Sequence, residues 1–322
     1  MIGGRTGPGI GSGIGRRRFL VAGTAALGLG GLAARDAVTR WRGTALGAPA
    51  AISLRGPREL ARPALAAARA EIARIEAQFS LHRPDSALSR LNRDGALAEP
   101  AEAFLGLLAL SRRVHAATGG AFDPTVQPLL AALARGEPCG PGRAAVGLED
   151  VRADKAGLRF ARPGMAMTFN GAAQGLAADL VAKVLRAHGF PDALVDAGEI
   201  RAGVGRWRVG VEDPARGLVE TRRIEAAGLA VSSPSALVLG PGRAAHIAHP
   251  GQPGRGPLWS TVAVEAASAA LADAVSTAAV FLDEDALRDL PARLPGLRRI
   301  LAVPGRGPGR GPGRGPVLRI RA

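Results

Sequence analysis

Asp273 and Thr277 stand four residues apart in the apolar run Ala269 to Phe281, whose spacing predicts a helix. Residues at i and i+4 project from one helix face. A carboxylate beside a hydroxyl makes a hard-oxygen pair suited to Mg²⁺, which completes its shell with water, backbone and substrate phosphate oxygens. On spacing alone the same pair also fits a solvent-facing helix edge. Two other stretches and one histidine carry chemistry-bearing types. In Thr118-Gly119-Gly120-Ala121-Phe122-Asp123 two glycines let the backbone approach a ligand, and they equally serve as a helix stop that leaves Phe122 in a core. The stretch Phe79 to Asn92 offers Ser80, Ser86 and Asn92, which also suit helix and turn caps. His246 is a candidate general base, because a neutral imidazole can take a proton from an attacking hydroxyl; a structural role fits it as well.

The elements that must position these residues are mixed. Leu65, Ala68, Ile72, Ile75 and Phe79 predict an amphipathic helix over roughly 64–79. Phe104, Leu107, Leu108 and Val114 predict a second helix, stopped at Gly119. Leu176 to Leu185 predict a third, stopped by Gly189 and Pro191. Strand candidates are Ala193–Val195, Trp207–Val211, Thr261–Val264 and Ile300–Val303. Without a regular βαβ alternation, the pattern argues α+β rather than a doubly wound sheet.

The chain has 322 residues, enough to bury a sizeable core. It has no tyrosine, and its basic residues are arginine apart from Lys155 and Lys183. The net charge of +15 is spread through every segment without an aromatic-interleaved basic stripe, which argues against a nucleic-acid interface. A single cysteine, Cys139, excludes an intrachain disulfide and is expected in a loop. Residues 1–34 are expected to be an export signal: Arg16-Arg17-Arg18-Phe19-Leu20 precedes the short apolar run Val21 to Ala34. The twin arginine with x-Phe-Leu resembles a Tat signal, and an Arg-rich Sec signal is the alternative. Near the C-terminus, Gly305-Arg306-Gly307-Pro308 recurs through Pro316, too rich in Gly and Pro to build a core. It is expected to be an expanded hairpin loop at 305–316 between two terminal strands.

Taken in order, Phe79–Asn92, Thr118–Thr125 and Ala272–Ala278 resemble the FAD:protein FMN transferase (ApbE-like) family. The likeness runs from about Ala45 to the C-terminus, so 35–322 is expected to form one ApbE-like, T-fold-related α+β domain. It implies Mg²⁺-dependent transfer of FMN from FAD to a Thr or Ser hydroxyl of an acceptor protein, with release of AMP. It implies metal ligation by Asp273, Thr277 and the backbone carbonyl of Gly171, and a catalytic role for His246. It implies FAD contacts from Ser80, Ala121, Phe122, Asp123, Thr168, Gln174, Ile247 and Ser276. The partner is then an acceptor flavoprotein, a membrane or periplasmic redox protein, and the location periplasmic or inner-membrane-associated.

The chain departs from the family pattern at several positions. Thr168 stands where the family has Asp, and Gln174 where it has Lys. Glu199 replaces the Asp of a Gly-Asp-Ile stretch, His249 an Asp before the proline, and Ser233-Pro234 a Ser-Gly pair. Loss of a cation beside a diphosphate removes charge stabilisation. Three readings follow: the transferase, a non-catalytic exported FAD binder, and a basic periplasmic interaction protein without flavin.

Overall fold

The computed structural model describes residues 38–154, 157–305 and 315–322. The expected export signal and the centre of the Gly-Arg-Pro repeat lie outside the described residues. A hairpin opens the fold, β1 (Val38–Ala45) turning into β2 (Ala48–Arg55) at Leu46-Gly47. Then come α1 (Arg58–Phe79), α2 (Ala87–Asp94), β3 (Ala96–Leu97), α3 (Glu102–Ala117), α4 (Gln127–Arg135) and α5 (Cys139–Ala144). The middle holds β4 (Val151–Asp154), β5 (Gly157–Phe160), α6 (Ala173–Ala187), β6 (Ala193–Asp196) and β7 (Ile200–Ala202). Next are β8 (Trp207–Asp213), β9 (Gly217–Ile224), β10 (Gly228–Ser232), β11 (Val238–Leu239) and β12 (Ala244–Ala245). The chain closes with β13 (Trp259–Ala266), α7 (Ala269–Ala279), α8 (Glu284–Arg293), β14 (Leu297–Pro304) and β15 (Leu318–Arg321).

Eight strands form an antiparallel sheet in the order β1-β2-β6-β7-β10-β13-β14-β15. The expected mixed α+β character is therefore observed. α1, α6 and α7 cover one face. The β8–β9 hairpin covers part of the other, burying Trp207, Val209, Val211 and Ile224 against Leu229, Ala263 and Leu301. Adjacent residues thus enter different cores: Ile300 and Ala302 of β14 face the helices, while Leu301 and Val303 face the hairpin. With both faces dry, these strands read as continuous apolar runs rather than alternating ones.

Two boundaries differ from their expected places. α1 starts at Arg58 rather than near 64. Its first turn carries exposed polar groups and Pro63 lies within it, so the apolar period fades before the helix does. Cys139 opens the short helix α5 rather than lying in a loop, with Pro138 supplying a fixed φ at its start. The strands flanking the Gly-Arg-Pro repeat pair antiparallel, Ala302 opposite Leu318 and Arg299 opposite Arg321.

Candidate active site

The site is built on the junction of α6 and α7. Asp179, midway along α6, accepts the backbone N–H groups of Ala269 and Ala270 at 2.9 and 3.0 Å. Ser268 caps the same helix end through the N–H of Leu271 at 3.1 Å. Burial pushes the Asp179 carboxyl above its ordinary range, while the two amides and Arg201, 3.6 Å away, pull it back. Gly175 lets the helices approach, because a Cβ there would strike the backbone of Ala269 and Ala270. One turn along α7, Asp273 reaches back to α6: its Oδ2 accepts the N–H of Gly175 at 3.0 Å. Asp273 is 3% exposed, which excludes the solvent-facing helix edge.

Thr277 follows one turn later, half-buried and against Gly171. The Asp273 carboxylate, the Thr277 hydroxyl and the Gly171 main chain therefore gather beside the first turn of α6. All three offer oxygen, the donor set of a hard cation. The positive end of the α6 dipole favours an anion at the same place. Among the described residues no group of three or more His, Cys, Asp or Glu could hold a metal. Ser276 lies on the core side of the same helix. It is fully buried, its Oγ 2.8 Å from that of Ser232 on β10 and donating to the Asp273 carbonyl at 3.0 Å.

The loop leading into α6 is held by packing and by one side-chain clamp. Phe169 meets Phe79 and Phe104 edge-on at centroid distances of 5.5 and 5.3 Å. Asn92 on α2 binds the backbone of Met167 twice, donating to its carbonyl at 2.8 Å and accepting its N–H at 2.7 Å. Thr168 is buried; its N–H donates to the Pro124 carbonyl at 2.7 Å and its Oγ1 accepts from Asn170 at 3.2 Å. The Gln174 side chain lies directly against Gly198. The N–H of Gly198 in turn donates to Asp196 at 3.1 Å, and burial raises that carboxyl to about 6. Asp196 escaped the sequence reading, since an Asp at a strand end before Ala-Gly looks like an ordinary turn residue.

The Gly119–Gly120 turn brings Ala121, Phe122 and Asp123 together at the end of α3, all buried. Asp123 Oδ1 accepts from the N–H and hydroxyl of Thr125 at 2.7 and 2.6 Å, and its Oδ2 from Leu148 at 3.2 Å. Burial pushes its carboxyl up, against the hydrogen bonds from Thr125 and Leu148. Ser80 closes α1; its carbonyl accepts the hydroxyls of Ser86 and Ser89 at 2.6 and 3.2 Å. Ser86 caps α2, as expected of a Ser at a helix start.

His246 follows β12. Its Nδ1 lies 3.1 Å from the Leu237 carbonyl and 3.2 Å from that of Pro234. Carbonyls only accept, so Nδ1 carries the proton and Nε2 is the basic nitrogen. The segment is anchored at its start, where Ser233 Oγ lies 2.8 Å from Thr261 Oγ1, which donates to Asp213 at 2.8 Å. Ile247 packs half-buried on the main core. His249 is buried against Phe281; burial and Arg255 lower its pKa, which keeps it neutral.

This architecture is that of the solved flavin transferases. The apo Pseudomonas stutzeri flavinyl transferase ApbE superposes with a TM-score of 0.70 at 25% identity, over 85% of this chain and 93% of that one. The Thermotoga maritima ApbE protein gives 0.76 at 24% identity, over 88% and 97%. The Vibrio cholerae flavin transferase ApbE gives 0.73 at 22%, over 89% and 98%. Residues 46–301 match the model of the ApbE family, and the chain belongs to that family. A curated relative, the FAD:protein FMN transferase of Salmonella typhimurium, is 28% identical over 159 residues; the match spans 42% of this chain and less than half, 45%, of that protein.

Proposed function

We propose that this protein transfers FMN from FAD to a Thr or Ser hydroxyl of an acceptor protein and releases AMP. The carrying observation is the gathering of Asp273, Thr277 and Gly171 at the start of α6 in a chain of this family. These three would hold Mg²⁺, which when bound neutralises charge on the FAD diphosphate. The α6 dipole adds to that field. Ser80, the Ala121–Asp123 turn, Thr168, Gln174, Ile247 and Ser276 are the groups proposed to shape the FAD site. His246 Nε2 takes the proton of the acceptor hydroxyl as its oxygen bonds to the FMN phosphorus. The bond from that phosphorus to the bridging oxygen breaks, and AMP leaves with the oxygen.

A weakly active or non-catalytic FAD binder is the second reading. It is favoured by Gln174, neutral where the family carries lysine, resting on the Gly198 turn that also binds the Asp196 carboxyl. We further propose export by the twin-arginine signal at 1–34, which places the acceptor among periplasmic or membrane redox proteins.

The deciding experiment mixes the purified protein with FAD, Mg²⁺ and a candidate acceptor. AMP release with covalent flavin fluorescence on the acceptor supports the transferase. Bound FAD without AMP supports the second reading. Absence of both sinks the flavin assignment.

A further inference from the structure

The last turn of α3 carries a side chain that none of the chemistry above uses. The Nδ1 of His115 lies 2.9 Å from the Phe122 carbonyl oxygen and 3.6 Å from Asp123 Oδ2. Its ring lies over Gly120, where a Cβ would sit 3.6 Å from Cε1. The side chain is 30% exposed, whereas that of Asp123 is 4% exposed. A carbonyl oxygen can only accept, so Nδ1–H donates and Nε2 is left as the acceptor of the neutral ring. Thr118 completes the closure. Its hydroxyl donates to the Val114 carbonyl at 2.7 Å and accepts the Phe122 N–H at 3.3 Å. Both polar backbone groups of Phe122 are therefore held by side chains at the C-terminal end of α3, one by Thr118, which caps the helix, and one by His115.

A turn with glycines at φ +59 and +83 has a large choice of conformations to lose. Thr118 alone fixes only its amide side. Without His115 the Phe122 carbonyl is free to rotate away, and Asp123, whose Oδ1 is committed to Thr125, would be pulled out of register with it.

We propose that His115 is a positioning residue of the flavin site: it locks the Ala121–Asp123 turn in its ligand-ready shape before FAD arrives. This rests on the flavin reading given above. The role is one of affinity through preorganisation, because a site ordered beforehand does not lose that freedom on binding.

The test compares His115→Leu with His115→Asn, two side chains of similar size. Only the Asn amide keeps a donor near the Nδ1 position. Binding of FAD is followed by quenching of flavin fluorescence, and turnover by AMP release. His115→Leu should weaken FAD binding and raise the FAD KM about tenfold, the scale of one hydrogen bond, while leaving kcat within about twofold. His115→Asn should recover most of that affinity. FAD binding by the Leu variant equal to wild type, or an Asn variant no better than Leu, overturns the proposal. So does a kcat that falls with KM unchanged. Should the Leu variant not fold, ¹⁵N spectra of the wild-type ring still decide: a neutral His115 protonated at Nε2 contradicts the proposal, and one protonated at Nδ1 supports it. Wild-type protein that binds no FAD defeats the flavin reading itself, and is seen before any variant is compared.

Discussion

Gly171 and Thr277 touch across the mouth of the α6–α7 junction: a Cβ on Gly171 would lie 2.7 Å from Thr277 Oγ1 and 3.0 Å from its Cγ2. Gly171→Ala forces one of the two to move. Overpacking of this kind costs about 1–3 kcal/mol. The variant should melt several degrees lower and lose most metal-dependent FAD binding. Adding Thr277→Ala should restore the melting temperature by making room, yet leave FAD binding low because the hydroxyl is gone. Recovery of both together would show that the hydroxyl has no ligand role.

Asp273→Asn separates charge from structure. The Asn carbonyl can still accept the Gly175 N–H, so the fold should persist with little change in melting temperature. Mg²⁺-dependent FAD binding and AMP release should each fall by about tenfold or more, as when a metal ligand is weakened. An unchanged FAD affinity, with and without EDTA, is the contrary result.

Asp196 gives the molecule a pH signature. Its folded pKa, about 6, lies above its ordinary value of 3.8 because burial disfavours the charged form. The sign follows from linkage: a raised carboxyl favours the fold below the ordinary value and loses that contribution as pH climbs through about 6. Asp196→Asn should therefore be more stable than wild type at pH 8, by up to about 3 kcal/mol, with the gap closing near pH 4. Urea titrations at the two pH values measure it, and a constant gap would remove Asp196 as its source.

Replacing 306–314 by a short Asn-Gly turn should leave the melting temperature unchanged or slightly higher, since loop closure depends only weakly on length. Gly305 and Gly315 are kept because the first donates to the Leu258 carbonyl and the second accepts from Arg216. A large fall would mean that the repeat packs on the domain.

Arg16→Lys with Arg17→Lys keeps the charge and removes the twin arginine. Export to the periplasm should stop if the signal is of the Tat type. Undiminished export would return the signal to the Sec class.

Much of this arrangement was legible because it is periodic or local. Leu65, Ile72 and Phe79 announced α1, and Ser86 suited the cap that it forms, although the short helix α2 behind it carries too few residues to show a period. Asp273 and Thr277 share a helix face by spacing, but spacing could not say that Asp273 is buried; that follows from Gly175, 98 residues away. His115 was invisible because its chief partner is a backbone carbonyl, which carries no residue-type signal. Asn92 read as a cap, and its clamp on Met167 depends on a loop 75 residues distant. The β8–β9 hairpin was half seen: Trp207–Val211 alternates, whereas β9 holds Glu220, Arg222 and Arg223 and reads as loop. Arg222 is nonetheless buried, paired with Glu220 at 2.5 Å and Glu265 at 3.4 Å.

The Asp273–Gly175 hydrogen bond also sets a timetable for synthesis. Ribosomes add about 5–20 residues each second, so roughly 5–20 s separate the appearance of Gly175 from that of Asp273, 98 positions later. Throughout that interval α6 lacks both the carboxylate at its first turn and the helix that covers Gly175. Nascent chains arrested before Asp273 should consequently be unable to retain flavin, and those carrying the whole sequence plus an added arrest linker long enough to clear the ribosome should retain it.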